Sequence, residues 1–296
     1  MFKGSITALV TPFRDGEVDE GALKRLIEFQ IANGTNGLVP CGTTGESATL
    51  SYDEHDRVIE LTIEAAGKRV PVIAGTGSNS TAETILLTKH AKKAGADAAL
   101  LITPYYNKPT QQGLYEHYRK VAEEVDIPII LYNVPGRTSV NMLPETVARL
   151  SDIGNIIGIK EATGNLQQMS DVIEFSRKGF IVLSGDDFTT LPLLAIGGHG
   201  VISVTSNVAP KEMSRMVNSF LTGDLDEAKA LHFRLQALHR AMFLETNPMP
   251  VKTALAVMGI LKEEFRLPLT KMSEGARLKL MDTLNAYGLG NQRSAI

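Results

Sequence analysis

Residues 127–163 read IPIILYNVPGRTSVNMLPETVARLSDIGNIIGIKEAT, and this stretch decides the fold. It begins with the apolar run IPIILYNVP at 127–135 and ends with a second run, IIGIKEAT, at 156–163. Neither run alternates apolar with polar side chains, which is typical of strands buried on both faces by crossover helices. Such strands pair in parallel, so the stretch predicts two consecutive strands of a parallel sheet.

Six further apolar runs of this kind lie along the chain, at residues 5–12, 37–42, 70–77, 98–106, 180–187 and 200–207. Helical segments lie between them. Residues 19–33 carry an apolar stripe, and residues 81–94 open on a Ser/Thr cap with Glu83 in the first turn. Eight βα units predict a (β/α)8 TIM barrel, because a doubly wound sheet more often has fewer strands and a phosphate-binding fingerprint after the first.

The chain continues past the eighth unit without another apolar β run. Residues 224–245, 250–259 and 273–287 predict three helices, joined by proline-bearing segments. We therefore expect a barrel at residues 1–223 and an all-helical C-terminal domain at residues 224–296.

Composition and charge narrow the class of partner. The 296 residues are 43% apolar with a formal net charge of −3, which excludes a disordered or fibrous chain and gives no electrostatic reason to expect nucleic acid or anionic lipid. A small solute is the expected ligand.

The single cysteine, Cys41, excludes an internal disulfide. Residues 1–16 are typical of neither a signal peptide nor a membrane anchor, so we expect a cytoplasmic protein.

Lys160 is the strongest single indication of chemistry. It follows Ile156, Ile157 and Ile159 and so projects from the sixth predicted strand among apolar residues. Burial disfavours the charged ammonium, and a neutral amine is a nucleophile toward carbonyl groups. The pattern is consistent with Schiff-base chemistry. The alternative, from this residue alone, is a strand-end lysine that reaches solvent or pairs with Glu161.

Other strand ends carry groups suited to a carboxylate ligand. Residues 42–46, GTTGE, form a tight loop that can direct N–H and hydroxyl groups at an anion, although an ordinary glycine-rich turn explains these residues equally well. Tyr132 can transfer a proton and Arg137 can bind a carboxylate, although at a barrel rim each is often packing or surface charge. Tyr105 and Tyr106 more often indicate a packed or interface pair.

The sequence lacks the motifs of several other kinds of active site. A dinucleotide fingerprint needs a glycine where Ser80 stands, after Gly75 and Gly77. The histidines include no HExxH motif, and no Gly-x-Ser-x-Gly elbow indicates a hydrolase. Cys41 lies in an apolar run and is more typical of a core residue than of a nucleophile. We expect no metal and no other cofactor.

Taken together, these motifs are similar to those of the dihydrodipicolinate synthase family, a branch of the pyruvate-dependent class I aldolases that also contains N-acetylneuraminate lyase. The resemblance covers essentially the whole chain. It rests on GLVPCGTTGES at 37–47 with Glu54, on ILYNVPGRT at 130–138 and on GIKEAT at 158–163. An arginine five positions after the tyrosine, and Pro-Tyr-Tyr at the fourth strand, favour the synthases over the sugar-acid aldolases.

The resemblance implies a reaction and a role for each site residue. Pyruvate would form a Schiff base with Lys160 and condense with L-aspartate 4-semialdehyde, at the entry to diaminopimelate and lysine biosynthesis. The implied catalytic residues are Lys160, Tyr132, Thr43 and Tyr106, of which the last would reach into a neighbouring subunit's site. The implied substrate-binding residues are Thr44, Arg137, Gly185 and Ile202.

The resemblance also implies assembly and regulation. It implies a homotetramer built as a pair of tight dimers. In lysine-inhibited relatives the effector binds at the dimer interface, and the matching residues here are Ser47, Ala48, His55, Asn79, Glu83 and Tyr105. Tyr52 stands where a histidine is common in those relatives, so we expect L-lysine to bind and leave the strength of inhibition open.

Two other functions are compatible with the same residues. Lys160 could serve an aldolase for a 2-keto-3-deoxy acid or for 4-hydroxy-2-oxoglutarate. A non-catalytic barrel could act as a sensor or a scaffold. The presence of Lys160, Tyr132 and Thr43 together argues against the non-catalytic interpretation.

Overall fold

Eight parallel strands form a barrel in the computed structural model, which describes residues 2–290. The strands are β1 (Gly4–Ala8), β2 (Gly37–Val39), β3 (Ile73–Gly75), β4 (Ala98–Ile102), β5 (Ile129–Asn133), β6 (Ile156–Glu161), β7 (Ile181–Ser184) and β8 (Gly200–Ser203). Pairing runs from β2 through β1, β8, β7, β6, β5 and β4 to β3. A parallel bridge between Leu38 and Val72 brings β2 against β3 and completes the ring. The predicted TIM barrel is confirmed, and each predicted run overlaps one strand.

Helices follow the strands around the outside of the barrel. They are α1 (Glu20–Ala32), α2 (Tyr52–Ala66), α3 (Thr81–Ala94), α4 (Gln111–Glu124), α5 (Pro135–Thr138), α6 (Pro144–Ser151), α7 (Leu166–Phe175), α8 (Thr190–Ala195) and α9 (Pro210–Leu221). A capping box starts α2, because Ser51 Oγ accepts from Glu54 N and Glu54 Oε2 accepts from Ser51 N at 2.9 Å. Gly67 ends α2 in the left-handed region, with φ at 55°.

The barrel strands bury both faces. Ile129 and Leu131 of β5 pack outward against the helices, whereas Ile130 and Tyr132 join the inner cluster with Leu183. This two-residue alternation places side chains from neighbouring strands in common layers inside the barrel. The layer at the carboxyl ends of β5 and β6 contains polar groups, and the candidate site lies there.

A short hairpin after β1 was not predicted from the sequence. It pairs Phe13–Arg14 with Glu17–Val18, and its turn places Asp15 and Gly16 in the left-handed region. The N–H groups of this turn donate to Glu264, at 2.9 Å from Asp15 N to Oε2 and 2.6 Å from Gly16 N to Oε1. The hairpin is thereby tied to the C-terminal part of the chain.

Three helices follow Gly223, as predicted: α10 (Leu225–Ala241), α11 (Met249–Val257) and α12 (Glu274–Ala286). Leu235, Leu255 and Leu284, one from each helix, are fully buried in the same apolar cluster as Leu23 of α1. The tail and the barrel therefore share a core, and the division into domains at residues 1–223 and 224–296 stays a prediction, its last six residues lying outside the described ones. Among residues 2–290, none of the helices is both long and apolar enough to cross a membrane.

Candidate active site

Lys160 and Tyr132 lie side by side at the carboxyl ends of two neighbouring strands. The register pairs Tyr132 on β5 with Lys160 on β6, and Lys160 Nζ lies 4.2 Å from the centroid of the Tyr132 ring. Lys160 is only 5% exposed, as its place in an apolar run predicts. The site therefore begins with an amine and a phenol in contact inside the barrel.

Gly185, which follows β7, leaves room for the lysine side chain. A Cβ at this position would lie 3.1 Å from Lys160 Cε and 2.6 Å from Ala162 Cβ. The Gly185 N–H donates to Glu161 O at 2.7 Å, which fixes the backbone at this close approach. Any larger residue at position 185 would displace the lysine.

The environment of Lys160 favours its uncharged form. Burial lowers the pKa of Lys160 to about 7, with the Asp187 carboxylate opposing this shift and the Arg137 guanidinium adding to it. A large fraction of the amine is therefore neutral near physiological pH. A neutral lysine amine is a nucleophile that attacks carbonyl carbons.

Glu161 does not serve as the partner of Lys160. Its carboxylate accepts from Asn133 Nδ2 at 3.1 Å and from Thr163 N at 2.9 Å. Burial raises the pKa of Glu161. Successive residues of a strand face opposite sides, so the pairing with Glu161, left open by the sequence, is not the observed arrangement.

The Tyr132 phenol lies against Thr43 and within the field of Arg137. Burial raises the pKa of Tyr132, whereas the charge of Arg137 and a hydrogen bond with the Thr43 side chain oppose that rise. Thr43 opens the short 3-10 turn Thr43–Gly45 after β2. Three of the predicted site residues are thus brought together from β2, β5 and α5.

The turn at residues 42–46 is closed by its own backbone and by one buried hydroxyl. Gly45 N donates to Gly42 O at 3.0 Å, and Thr11 Oγ1 donates to Gly45 O at 2.6 Å. Glu46 ends the turn in the left-handed region, with φ at 53°. The predicted tight loop is therefore present, with Gly42 O bonded within the turn and Gly45 O bonded to Thr11, which follows β1.

Asn247, in the segment between α10 and α11, joins this turn to Arg137. Its Nδ2 donates to Thr44 Oγ1 at 2.9 Å, and its backbone oxygen accepts from Arg137 Nη2 at 3.2 Å. Its Oδ1 is buried without a protein partner. Sequence reasoning missed Asn247, because the contact with Thr44 spans 203 positions and no local motif marks it.

A cavity of about 330 Å³ opens at this end of the barrel, within the size range of small-ligand sites. Thr43, Tyr132 and Arg137 line it from the barrel. The tail supplies the opposite wall, with Thr246, Asn247, Pro248, Pro268 and Leu269. The lining residues do not include the predicted site residues Thr44, Lys160, Gly185 and Ile202. Lys160 adjoins the cavity through its contact with the lining residue Tyr132.

Tyr106 does not contribute to the cavity of its own chain. It follows β4 with φ at 71°, and it is 90% exposed. Its neighbour Tyr105 is 37% exposed and lines the cavity wall. Any role of Tyr106 in catalysis therefore requires a second copy of the chain.

A second cavity of about 330 Å³ adjoins the first. Five of the six residues that the resemblance assigns to lysine binding line it, namely Ser47, Ala48, His55, Glu83 and Tyr105. The sixth, Asn79, is not among the lining residues, and its backbone oxygen accepts from Asn107 Nδ2 at 2.9 Å. Tyr52 also lines this cavity.

Glu83 is the acidic group of the second cavity. Its carboxylate accepts from Ser78 Oγ and, at 2.6 Å, from the Tyr52 hydroxyl. These two hydrogen bonds lower the pKa of Glu83, so the carboxylate is charged at neutral pH. Burial lowers the pKa of His55, whose Nε2 lies 2.9 Å from Gly75 O. The cavity thus presents one anion and a largely neutral imidazole.

The two cavities share a wall that the sequence did not predict. The residues common to both are Cys41, Ser47, Ala48, Gly75, Gly77 and Tyr105. A Cβ at Gly75 would lie 2.4 Å from Cys41 O, so the backbones of these segments pack directly against each other. Burial raises the pKa of the Cys41 thiol far above its usual range, which leaves it unreactive within this wall.

Comparison with known proteins assigns the family. The sequence model of the dihydrodipicolinate synthetase family matches residues 1–287. The chain belongs to that family. The 4-hydroxy-tetrahydrodipicolinate synthase of Syntrophus aciditrophicus (strain SB) is 64% identical over 289 residues, which are 98% of this chain and 99% of the relative. The family resemblance stated from the motifs is confirmed.

Two solved structures of the family contain a bound small molecule. Dihydrodipicolinate synthase from Acinetobacter baumannii, complexed with pyruvate, has a TM-score of 0.95 and 50% identity, covering 98% of this chain and 100% of that one. Dihydrodipicolinate synthase from Cyanidioschyzon merolae, with lysine bound, has a TM-score of 0.94 and 43% identity, covering 97% of this chain and 99% of that one.

Within residues 2–290, no group of three or more His, Cys, Asp or Glu side chains is placed to hold a metal ion.

Proposed function

We propose that this family member is a 4-hydroxy-tetrahydrodipicolinate synthase. It condenses pyruvate with L-aspartate 4-semialdehyde in the first committed step of diaminopimelate and lysine biosynthesis. The observation that carries the proposal is the buried Lys160 amine, with a pKa of about 7, against the Tyr132 phenol. The name of the Syntrophus aciditrophicus relative supports this activity and not the alternative aldolases.

The first half of the reaction attaches pyruvate to Lys160. Neutral Nζ attacks the ketone carbon, and loss of water from the carbinolamine gives the protonated Schiff base. Tyr132, supported by the Thr43 hydroxyl, donates the proton to the departing water and accepts one from the methyl carbon as the enamine forms. The pyruvate complex of the Acinetobacter baumannii relative supports this substrate.

The carboxylate of pyruvate binds at the turn of residues 42–46. Thr43 lines the cavity, and we place the carboxylate at its hydroxyl and at that of the adjoining Thr44, whose Oγ1 already accepts from Asn247 Nδ2. That bond leaves the Thr44 hydroxyl proton free to be donated to an anion. Gly185, directly after β7, packs against the Lys160 side chain, and we place Ile202 of β8 in the same enclosure.

The second half forms the carbon–carbon bond and releases the enzyme. The enamine carbon attacks the aldehyde carbon of L-aspartate 4-semialdehyde, whose carboxylate is bound by the Arg137 guanidinium. The substrate amino group then attacks the Schiff-base carbon, expels the Lys160 amine and closes the ring. One water is lost overall, and no electron acceptor or donor is needed.

Assembly and regulation follow the same proposal. Tyr106, exposed on its own chain, completes the proton path of a neighbouring subunit in a homotetramer of paired dimers. L-lysine binds in the second cavity with its ammonium against Glu83, and the lysine-bound relative from Cyanidioschyzon merolae supports that ligand. The enzyme acts in the cytoplasm, as the sequence predicts from its single cysteine.

Borohydride trapping tests the central step. Incubation with pyruvate and sodium borohydride should reduce the Schiff base and add one pyruvate-derived adduct to the Lys160 peptide. The Lys160→Ala variant should stay unlabelled while keeping its fold by circular dichroism. Labelling of that variant on another lysine would contradict the assignment, and an unlabelled wild type would indicate a non-catalytic barrel.

A side-by-side assay of aldehydes tests the second substrate. With pyruvate saturating, turnover should be highest with L-aspartate 4-semialdehyde. Cleavage of 2-keto-3-deoxy acids or of 4-hydroxy-2-oxoglutarate at a comparable kcat/KM would contradict the synthase assignment while leaving the Schiff base intact.

A further inference from the structure

Glu46 and Lys252 form a fully buried ion pair at the base of the turn of residues 42–46. Lys252 Nζ donates to Glu46 Oε1, and neither side chain has any exposed surface. Lys252 Nζ also lies 4.2 Å from the ring centroid of Phe13 and 5.1 Å from that of Phe265. The pair is therefore enclosed by aromatic side chains and excluded from solvent.

The second carboxylate oxygen of Glu46 is held by the tail as well. Glu46 Oε2 accepts from Arg266 N at 3.3 Å. The guanidinium of the same residue, Arg266, contacts the chain that follows the turn. It donates to Thr49 O at 2.9 Å and pairs with Glu54. Both oxygens of one buried carboxylate thus connect the turn to residues that follow the barrel.

The pair is a poor source of stability. Removing two charges from water costs about as much as their attraction returns, and a buried pair can often be replaced by apolar residues without loss. The pair instead fixes the position of Glu46, because its carboxylate must accept from Lys252 Nζ and from Arg266 N at the same time. Glu46 also has φ at 53°, a conformation that a non-glycine residue adopts under local constraint.

This constraint is transmitted to Thr43, which lines the cavity, and to the adjoining Thr44. Glu46 N donates to Thr43 O at 3.2 Å, closing the turn that carries the Thr43 and Thr44 hydroxyls. Movement of Glu46 would therefore rotate the backbone of both threonines. A displacement of about 1 Å at a binding group can cost up to about 100-fold in rate or affinity.

We infer that Glu46 and Lys252 are positioning residues, which lock the turn of residues 42–46 so that Thr43 and Thr44 present their hydroxyls to the substrate carboxylate. Both side chains are fully buried, so neither charged group can touch the substrate. The assignment of that carboxylate to pyruvate rests on the proposed function, whereas the restraint of the turn does not.

Hydrogen exchange tests the restraint independently of activity. In Lys252→Met, amides in the peptide covering residues 42–50 should exchange at least about tenfold faster than in the wild type, because the turn opens more readily. The matched control is Thr253→Val on the same helix, which removes a bond of 3.0 Å from Thr253 Oγ1 to Glu263 Oε1 away from the turn. Unchanged exchange in Lys252→Met would overturn the inference.

Pyruvate saturation of borohydride trapping tests the positioning. Lys252→Met should need at least about tenfold more pyruvate for half-maximal labelling of Lys160, with complete labelling at saturation. Thr253→Val should match the wild type within about twofold even if it lowers the thermal stability. A folded Lys252→Met variant with wild-type half-saturation would overturn the inference. A wild type that pyruvate does not label would overturn the proposed function, and hydrogen exchange would still decide the restraint.

The double variant Glu46→Leu/Lys252→Met separates positioning from stability. It leaves no lone buried charge, so its thermal stability should recover relative to either single variant. Its half-saturating pyruvate concentration should stay raised. If that concentration falls back to the wild-type value as the stability recovers, the pair has a purely structural role and the inference is wrong. This variant also carries the test if Lys252→Met alone fails to fold.

Discussion

Lys160 Nζ lies 4.2 Å from the centroid of the Tyr132 ring, on paired residues of two neighbouring strands. The face of an aromatic ring favours a charged, desolvated amine by about 2 kcal/mol. Burial of an ammonium costs several kcal/mol, and here it outweighs the ring. The contact therefore holds an amine whose pKa has fallen to about 7 and a phenol whose pKa has risen.

The rate of Schiff-base formation should rise with pH through about 7. Lys160 must lose its proton to attack, and its pKa lies at about 7 in the folded protein. Below that pH the rate should fall about tenfold per pH unit. Borohydride trapping at subsaturating pyruvate, followed from pH 5.5 to 10, measures this dependence. A rate still rising steeply above pH 9 would show that the amine keeps the pKa of an exposed lysine.

Replacing Lys160 by methionine should stabilise the fold, and most strongly at low pH. The unfolded lysine has a pKa near 10.4 and the folded one about 7, so between these values the unfolded chain binds more protons and wild-type stability rises with pH. Below pH 7 the wild type bears the whole cost of the buried charge. The free energy of unfolding of Lys160→Met should therefore exceed that of the wild type by about 5 kcal/mol at pH 6 and by about 2 kcal/mol at pH 9.

Urea denaturation at the two pH values measures this difference. Lys89→Met is the control, since Lys89 pairs with Glu124 on the surface and its replacement should change stability little at either pH. An equal gain for Lys160→Met at pH 6 and pH 9 would show that packing, not charge, accounts for the stabilisation.

Arg137→Ala should impair the second substrate more than the first. Loss of the guanidinium should raise the KM for L-aspartate 4-semialdehyde about 100-fold, as removal of a charged hydrogen-bonding partner typically does. It should also raise the pKa of Lys160, because Arg137 contributes to its lowering, and so shift the pH profile of trapping upwards. Steady-state kinetics with each substrate varied in turn provide the measurement. The exposed Arg149, which stacks on Tyr115, supplies the control variant Arg149→Ala.

Mixing two inactive variants should restore activity. Tyr106→Phe lacks the phenol that serves the neighbour, and Lys160→Ala lacks the amine of its own site. A mixed dimer contains one site with both wild-type residues, so activity should recover to about a quarter of wild type after random reassortment of subunits. Coupled assays after dissociation and reassembly measure it. Activity that stays at the level of the separate variants would show that Tyr106 does not act across subunits.

Tyr52→Phe should tighten lysine binding. The Tyr52 hydroxyl donates to Glu83 Oε1 at 2.6 Å and so occupies an acceptor that the effector's ammonium needs. Its removal should lower the Kd for L-lysine about tenfold, equivalent to about one charged hydrogen bond. Isothermal titration calorimetry gives the Kd of both proteins. No heat with millimolar L-lysine in either protein would contradict lysine binding in the second cavity.

The fold could be predicted because its signals are local. Each barrel strand is an apolar run, and the position of Lys160 within one such run was enough to predict a buried amine. The hairpin at residues 13–18 was missed although it contains Asp15-Gly16, a dipeptide typical of tight turns. Its strands are only two residues long, so no apolar pattern marks them.

The missed site residues have a different cause. Asn247 and Lys252 meet the turn of residues 42–46 across 203 and 206 positions, and neither carries a local pattern. Their contacts with the turn exist only in the folded molecule, where the tail packs over the carboxyl ends of the barrel strands. The wall shared by the two cavities could not be predicted either, because its residues come from several segments that meet only in the folded protein.

The bond from Asn247 to Thr44 has a consequence for the order of events during synthesis. Chains fold from the amino terminus as they leave the ribosome. A nascent chain released as far as Gly223 holds all eight strands, the amine of Lys160 and the phenol of Tyr132. It lacks the side chains that anchor Thr44 and Glu46. Lys160 is therefore made before the side chains that anchor the proposed carboxylate site, which is completed only once the chain has been translated through Lys252.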